Sequence, residues 1–363
     1  MTQAPRLVGP EALRGFIVAV LDRLGLPPGI AELTADLMVR TDLRGVDSHG
    51  VGMLPKYVEW IRAGYIVPAA EPKVVRDEGP TALVDGQQAM GHHTATAAME
   101  LAIAKARAHG VGFVAVRNSN HFGACASYSM KALAHDMIGL ALTNSPFPAM
   151  APTFGRKAML ATNPLSLAAP AGQEPPFVLD MATTTVAIGQ LHQASRWGRP
   201  IPEGWALDPS GAPVTDPASA LASRLLTPLG GSRELGGHKG YGLALLVDIL
   251  SGVLSGAVHG DLFFRSEPQG RRTNVGHLFG ALEIARFRPV EEFKAAMDDL
   301  LGALKASPKA EGQARIYVAG EPELECEARR RLEGIPLAPG LVAELREIAA
   351  SLGLPFTLAR APA

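Results

Sequence analysis

The sequence predicts an α/β protein (α+β-like), with a mixed-sheet domain over residues 76–285 and a helical domain built from both ends of the chain, 1–75 with 286–363. Three observations carry this reading. Apolar residues recur at helical spacing before residue 65 and again after residue 288. Between these ends, the short apolar runs TALVD (81–85), VGFVAV (111–116) and IGLALT (138–143) alternate with helical stretches at 92–109 and 122–136. That is a βαβαβ rhythm. The stretch VPAAEP (67–72) has linker chemistry and separates the two textures.

Taken in order, residues 10–24 form a first helix that stops at Gly25 and the Pro27-Pro28 pair. Residues 28–43 form a second, with Ala35, Leu37, Met38 and Leu43 on its apolar side, and a third fits 53–63, closed by Gly64. Further strands are expected at 165–170, 177–182 and 278–284, with a loop rich in Pro and Gly at 197–217. Amphipathic helices at 289–307 and 339–354 are expected to pack back on the N-terminal ones. The stretch 240–258 is nearly long enough to span a bilayer, but it carries Asp248 at its middle. A lipid-facing carboxylate is costly, so a buried, closely packed helix is the better reading.

Composition narrows the function. The chain has 363 residues, 47% hydrophobic, with a formal net charge of −1, which gives no reason to expect nucleic acid or an anionic membrane as partner. The first residues lack the basic start and apolar core of a signal peptide, so the expected location is cytoplasmic. Two cysteines, Cys125 and Cys326, do not make a disulfide framework or a thiolate metal site. The adjacent histidines of GHH (91–93) lack the spacing of two ligands on one helix face, so no metal is expected there. The chain contains no G-x-G-x-x-G, P-loop, G-x-S-x-G or H-E-x-x-H run. A dinucleotide, if bound, needs another scaffold.

Four segments carry chemistry. In DLRGVDSHGVG (42–52), Ser48 can cap the following helix, and His49 and Tyr57 can line one face and reach one substrate. In NSNHFG (118–123), polar residues directly follow a strand, where α/β folds collect ligands, and Asn120 can donate to a carboxylate or fix the ring of His121. In FVLDMATTTVAIG (177–189), Asp180 ends an apolar run, so it can orient a histidine or cap the next helix. In GGHKGYG (236–242), Lys239 in a glycine-rich turn before a helix suits an anion such as phosphate.

Together with TNSP (143–146), MAP (150–152), TNP (162–164), PLGG (228–231), VGHLF (275–279) and AGEPE (319–323), these segments run in order from about residue 40 to about 325. In that order the chain resembles the type-2 malate/L-lactate dehydrogenase family. Its members include malate, sulfolactate and ureidoglycolate dehydrogenases, a diketogulonate reductase and a piperideine-carboxylate reductase. The resemblance implies a non-Rossmann, sulfolactate-dehydrogenase-like fold, a homodimer, and NAD or NADP as cofactor. It implies cofactor contacts at Ser145, at Asp180, Met181 and Ala182, at Lys239 and Gly240, and at Gly320, Glu321 and Pro322. It assigns proton transfer to His121 or His49 and a substrate contact to Asn274, which joins Ser48, Met53, Tyr57 and Asn120 as the expected substrate-binding residues. The chain departs from many relatives at Met53, where they carry an arginine that grips the substrate carboxylate, and at Gln190, where they carry lysine. Losing a planar bidentate donor matters, and Arg44 is one candidate to replace it. Arg271 and Arg272 are candidates to meet the 2′-phosphate of NADP, or else part of a solvated loop.

The expected reaction transfers hydride between a nicotinamide and a small 2-hydroxy or 2-keto acid, with His121 as acid/base and His49 as a second proton-handling group. Reduction of a cyclic imine uses the same hydride. A cofactor-free, histidine-based lyase or hydrolase and a non-catalytic dimeric scaffold are the readings from other classes.

Overall fold

The computed structural model describes residues 5–260, 273–356 and 358. In chain order its strands are β1 (Arg6–Val8), β2 (Lys73–Glu78), β3 (Thr81–Asp85), β4 (Val111–Ser119), β5 (Met137–Thr143), β6 (Leu165–Ala169), β7 (Phe177–Met181), β8 (Ala206–Leu207), β9 (Pro213–Val214), β10 (Leu225–Leu226), β11 (Val275–Glu283) and β12 (Ile335–Leu337). Seven of them form a sheet in the order β2-β3-β4-β11-β5-β6-β7. Only β3 and β4 pair in parallel. The sheet is mixed, as the alternation of runs and helices implied. Its centre is built non-locally, because β11 lies between β4 and β5 and Leu278 pairs with both Ala115 and Leu142.

The helix Gly91–His109 crosses from β3 to β4 and buries Ala95, Ala98, Met99, Ala102 and Ala106 against them. Small residues on that face let helix and sheet approach closely. The helix stops at Gly110, whose φ of 87° suits glycine. A second core lies outside the sheet. Helix Pro10–Arg23 turns Leu13, Phe16, Ile17, Val20 and Leu21 inward, and helices Pro28–Leu43, Leu54–Arg62 and Pro339–Ser351 close over them. Strand β1 pairs with β12, which ties the two ends of the chain together.

Several elements differ from expectation. Strand β2 lay unread because KVVRDE shows no alternation; it is exposed throughout and takes its conformation from pairing with β3 at the sheet edge. The helix expected over 122–136 is a short turn, Ala126–Ser129, followed by the 3₁₀ stretch Met130–His135. Its residues are buried on nearly all sides, so packing rather than one apolar stripe shapes it. Helix Val290–Ala306 does not return to the N-terminal helices. Asp298 accepts the N–H groups of Gly172, Gln173 and Glu174 instead. The stretch 240–258 is helical from Gly237 to Asp248 and continues as a π-turn over Ile249–Val253, but only one face is buried. Leu245, Leu246, Ile249, Val253 and Leu254 are exposed. No helix among the described residues is long and apolar enough to cross a membrane.

Candidate active site

The loop after helix Pro28–Leu43 is held from several directions. Asp42 accepts the N–H of Val51 at 2.8 Å, and Gly50 packs so tightly that a Cβ there would lie 1.9 Å from the same carboxylate. Burial raises the Asp42 carboxyl well above its usual range. Arg330 bonds Asp47, and Gln193 donates to the Asp47 carbonyl at 2.7 Å. Ser48 therefore does not cap the next helix. Its hydroxyl sits 2.8 Å from His49 Nδ1.

The second histidine follows β4. Asn118 adopts φ 52°, donates its N–H to the Asn274 side chain at 2.8 Å, and donates through Nδ2 to Asp85 at 2.8 Å. Asn274 thus shapes the turn before His121. Asn120 is 1% exposed; its amide donates to the carbonyls of Tyr65, Gln88 and Ala89, and its oxygen accepts from Thr273. The expectation that Asn120 binds substrate gives way to a role in fixing the loop, since every polar atom of its side chain is spent.

These constraints deliver His121 to Tyr57, whose hydroxyl lies 2.7 Å from His121 Nδ1. The Gly123 N–H also faces Nδ1, at 3.4 Å. His49 stacks on His121 with ring centroids 5.5 Å apart and 20° between planes. With Nδ1 of each ring engaged, Nε2 is the nitrogen left for a substrate. Burial lowers His49 to about 4. Burial, then His49, His92 and His277, hold His121 well below the ordinary imidazole range. Both rings are neutral near pH 7, while burial raises Tyr57 so that its hydroxyl stays protonated.

Beside His49 opens a cleft of about 480 Å³. Arg44, Ser48 and His49 form one wall; Asp180, Met181 and Ala182 at the end of β7, with Thr184 and Thr185, form another. Gly320 and Pro322 close the lip. Gly320 has φ 100°, and a Cβ there would stand 3.0 Å from that of Val178. Asp180 does not orient a histidine, contrary to the expectation from its place at a strand end. Its Oδ2 accepts the N–H of Ala126 at 2.7 Å, because β7 lies four strands from β4 in the sheet. Although Asp180 opens on the cleft, the surrounding protein desolvates its carboxyl and pushes it up to about 7.

The remaining expected residues are scattered. Glu321 is 7% exposed, and its carboxylate accepts from Lys305, Arg315 and the Val318 N–H, so the side chain braces the lip rather than facing the cleft. Lys239 is exposed on the first turn of helix Gly237–Asp248, Gly240 packs on Leu229, and Ser145 accepts the Phe147 N–H at 3.3 Å; none of the three lines the cleft. Met53 packs against the helical core. Arg44 reaches the cleft but pairs with Glu327 at 3.6 Å. Arg271 and Arg272 lie outside the described residues.

Sequence reasoning missed His92, Trp60 and Phe147. His92 is 1% exposed and stands edge-on to Tyr57 at 5.4 Å, a place that nothing in the GHH run signals. Trp60 lies 6.3 Å from His121 and stacks on Phe147 at 6.1 Å. Trp60 is one helical turn after Tyr57 and was within reach of the spacing argument that linked Tyr57 to His49.

The sequence pattern of the malate/L-lactate dehydrogenase family matches residues 8–346. The chain is 44% identical over 347 residues to a malate dehydrogenase of Pyrococcus abyssi, covering 95% of this chain and 94% of that protein. It is 41% identical over 348 residues to an L-sulfolactate dehydrogenase of Methanocaldococcus jannaschii, covering 96% and 98%. The crystal structure of malate dehydrogenase from Entamoeba histolytica superposes with a TM-score of 0.93 at 34% identity, over 97% of this chain and 99% of that one.

Proposed function

The chain belongs to the malate/L-lactate dehydrogenase family and is an oxidoreductase of 2-hydroxy acids, and from that premise we propose how its residues divide the work. One observation carries the reading: two neutral histidines, each with Nδ1 engaged and Nε2 unpartnered among the described residues, stand stacked, with His49 lining a cleft.

The cleft suits a nicotinamide dinucleotide in its chemistry. Met130, Val178, Met181 and Leu229 offer apolar surface, while Thr184, Thr185, Arg44 and the free oxygen of Asp180 offer polar contacts. When bound, the nicotinamide supplies or accepts the hydride. His121 handles the proton at Nε2. In the oxidising direction the neutral ring takes the proton of the substrate hydroxyl; in the reducing direction it returns one to the carbonyl oxygen. For that, Nδ1 carries the ring hydrogen and donates it to the Tyr57 oxygen, which leaves Nε2 bare in the neutral ring. His49, fixed by Ser48, polarises the substrate from the cleft side. A carboxylate substrate raises the imidazole pKa as it binds, so the acid for reduction is charged when the anion arrives.

Titrating NADH and NADPH and following nucleotide fluorescence tests the reading. Binding of at least one is expected, and no binding of either rejects it in favour of a cofactor-free lyase, hydrolase or scaffold. A panel of 2-keto acids with piperideine-2-carboxylate then separates ketone from imine reduction. We further propose a homodimer, supported by the exposed apolar stripe Leu245, Leu246, Ile249, Val253 and Leu254. A monomer mass in sedimentation rejects that proposal.

A further inference from the structure

The proton steps above leave His92 without a task, although it packs against Tyr57 and against the turn that carries His121. It is the second residue of helix Gly91–His109 and is 1% exposed. Its ring meets that of Tyr57 edge to face, with centroids 5.4 Å apart and 86° between planes. On another side it abuts the His121 turn: a Cβ at Gly123 would lie 2.9 Å from His92 Nε2. Gly91 approaches the same turn as closely, since a Cβ there would stand 2.2 Å from the His121 carbonyl oxygen. The start of this helix is therefore a floor shared by Tyr57 and the His121 turn.

Hydrogen bonding gives no reason for a histidine here. Its Nδ1 is buried and has no partner among the described residues. An unpaired buried nitrogen costs stability that an apolar side chain of similar volume would keep. Nor does the ring act by charge. Burial lowers its imidazole to about 3, so it stays neutral beside His121, whose other titratable neighbours are His49, Tyr57 and His277. What remains is shape. A flat ring set edge to face fixes the tilt of Tyr57, and with it the hydroxyl that lies 2.7 Å from His121 Nδ1. The five-membered ring is the smallest flat ring among side chains, and the close contact at Gly123 leaves little room for a larger one.

We propose that His92 is a positioning residue: its ring holds Tyr57 and the Gly123 turn together, so that the Tyr57 oxygen meets His121 Nδ1. This rests on the hydride-transfer reading above and adds a residue to its proton-handling part. His92 touches neither substrate nor nucleotide and acts through Tyr57.

The test is a double-mutant cycle between His92→Leu and Tyr57→Phe. It is read in the oxidation of malate, lactate or sulfolactate, whichever the unaltered enzyme oxidises fastest. His92→Leu is expected to lower kcat about 3- to 10-fold, and to move the acid limb of kcat/KM in the same direction as Tyr57→Phe. The double variant is expected to match Tyr57→Phe within about 1.5-fold, because both changes remove one contact. Nucleotide fluorescence titration shows that each variant is folded; if His92→Leu is not, His92→Gln carries the same cycle. Effects that multiply in the double variant overturn the assignment, and so does an acid limb that the His92 change leaves unmoved. His121→Ala tests the underlying reading separately. Turnover in that variant within threefold of the unaltered enzyme, or no oxidation of any of the three acids by the unaltered enzyme, sinks that reading and this assignment with it.

Discussion

The histidine corner and the cleft beside it are built by opposite means. At the corner, side chains hold side chains: Ser48 on His49, Tyr57 on His121, one ring on the other, with Asn120 and Asn274 fixing the loop from behind. Along the cleft, small residues form part of the wall, among them Ala126, Ala182 and Gly320. Burial drives the imidazoles down to neutral forms. In the cleft, desolvation brings Asp180 to about 7, where it can hold or release a proton. The difference teaches that, on the proposed reading, proton handling and nucleotide binding reside in separable groups, although His49 belongs to both.

Changes at the corner should therefore alter turnover and pH dependence, and changes along the cleft should alter nucleotide affinity. The largest effect is expected from His121→Ala, with turnover down about 10² to 10⁴-fold, the usual contribution of positioned acid–base catalysis. A steady-state assay checks this; turnover within threefold of the unaltered enzyme would remove His121 from the mechanism. On the cleft side, Gly320→Ala forces a side chain into φ 100°, a strain of roughly 1–2 kcal/mol. Nucleotide affinity should weaken about tenfold if that strain is relieved by opening the lip. A shifted pH profile at saturating nucleotide would break the division between the regions.

Tyr57→Phe sharpens the comparison from the corner side. Losing one neutral hydrogen bond predicts a fall in turnover of about 2- to 10-fold. The sign of the pH effect follows from His121. In the oxidising direction the neutral ring is required, and its lowered pKa keeps that form populated below pH 6.5, so kcat/KM should hold as pH falls through that value. For Nε2 to take a proton, Nδ1 must carry the ring hydrogen and donate it to the Tyr57 oxygen, a bond that favours the charged ring, so the variant's acid limb should move further down in pH. An unmoved limb in a pH–rate profile would deny Tyr57 that role. The smallest effect is expected at Asp180→Asn. With the carboxyl near 7, nucleotide affinity of the unaltered protein should change a few-fold between about pH 6 and pH 8, and the amide should flatten that change. Fluorescence titration at several pH values decides it.

Local reading went far where one element decided the outcome. Helices Pro10–Arg23, Pro28–Leu43 and Gly91–His109 fall close to the predicted spans because apolar spacing and terminal Gly or Pro are local signals. Strand β2 escaped because nothing in KVVRDE but its partner makes it a strand. Asp180 was legible as a polar group at a strand end, but its partner was not, since strand order decides which atoms come within reach. Asn120 and Glu321 share one reason for misreading: a sequence shows that a polar side chain exists, not whether its hydrogen-bonding capacity is already spent.

By itself, the sequence determined the mixed α/β class, the two histidines with Tyr57, and the family to which their ordered motifs belong. These rest on local periodicity and on runs of residues that keep their meaning wherever the chain goes. The tertiary structure alone decided that His49 and His121 stack, that β11 separates β4 from β5, and that His92 and Trp60 join the site. Each of those depends on contacts between residues distant in the chain. The free energy of such contacts comes from packing and desolvation in three dimensions, which no local pattern encodes.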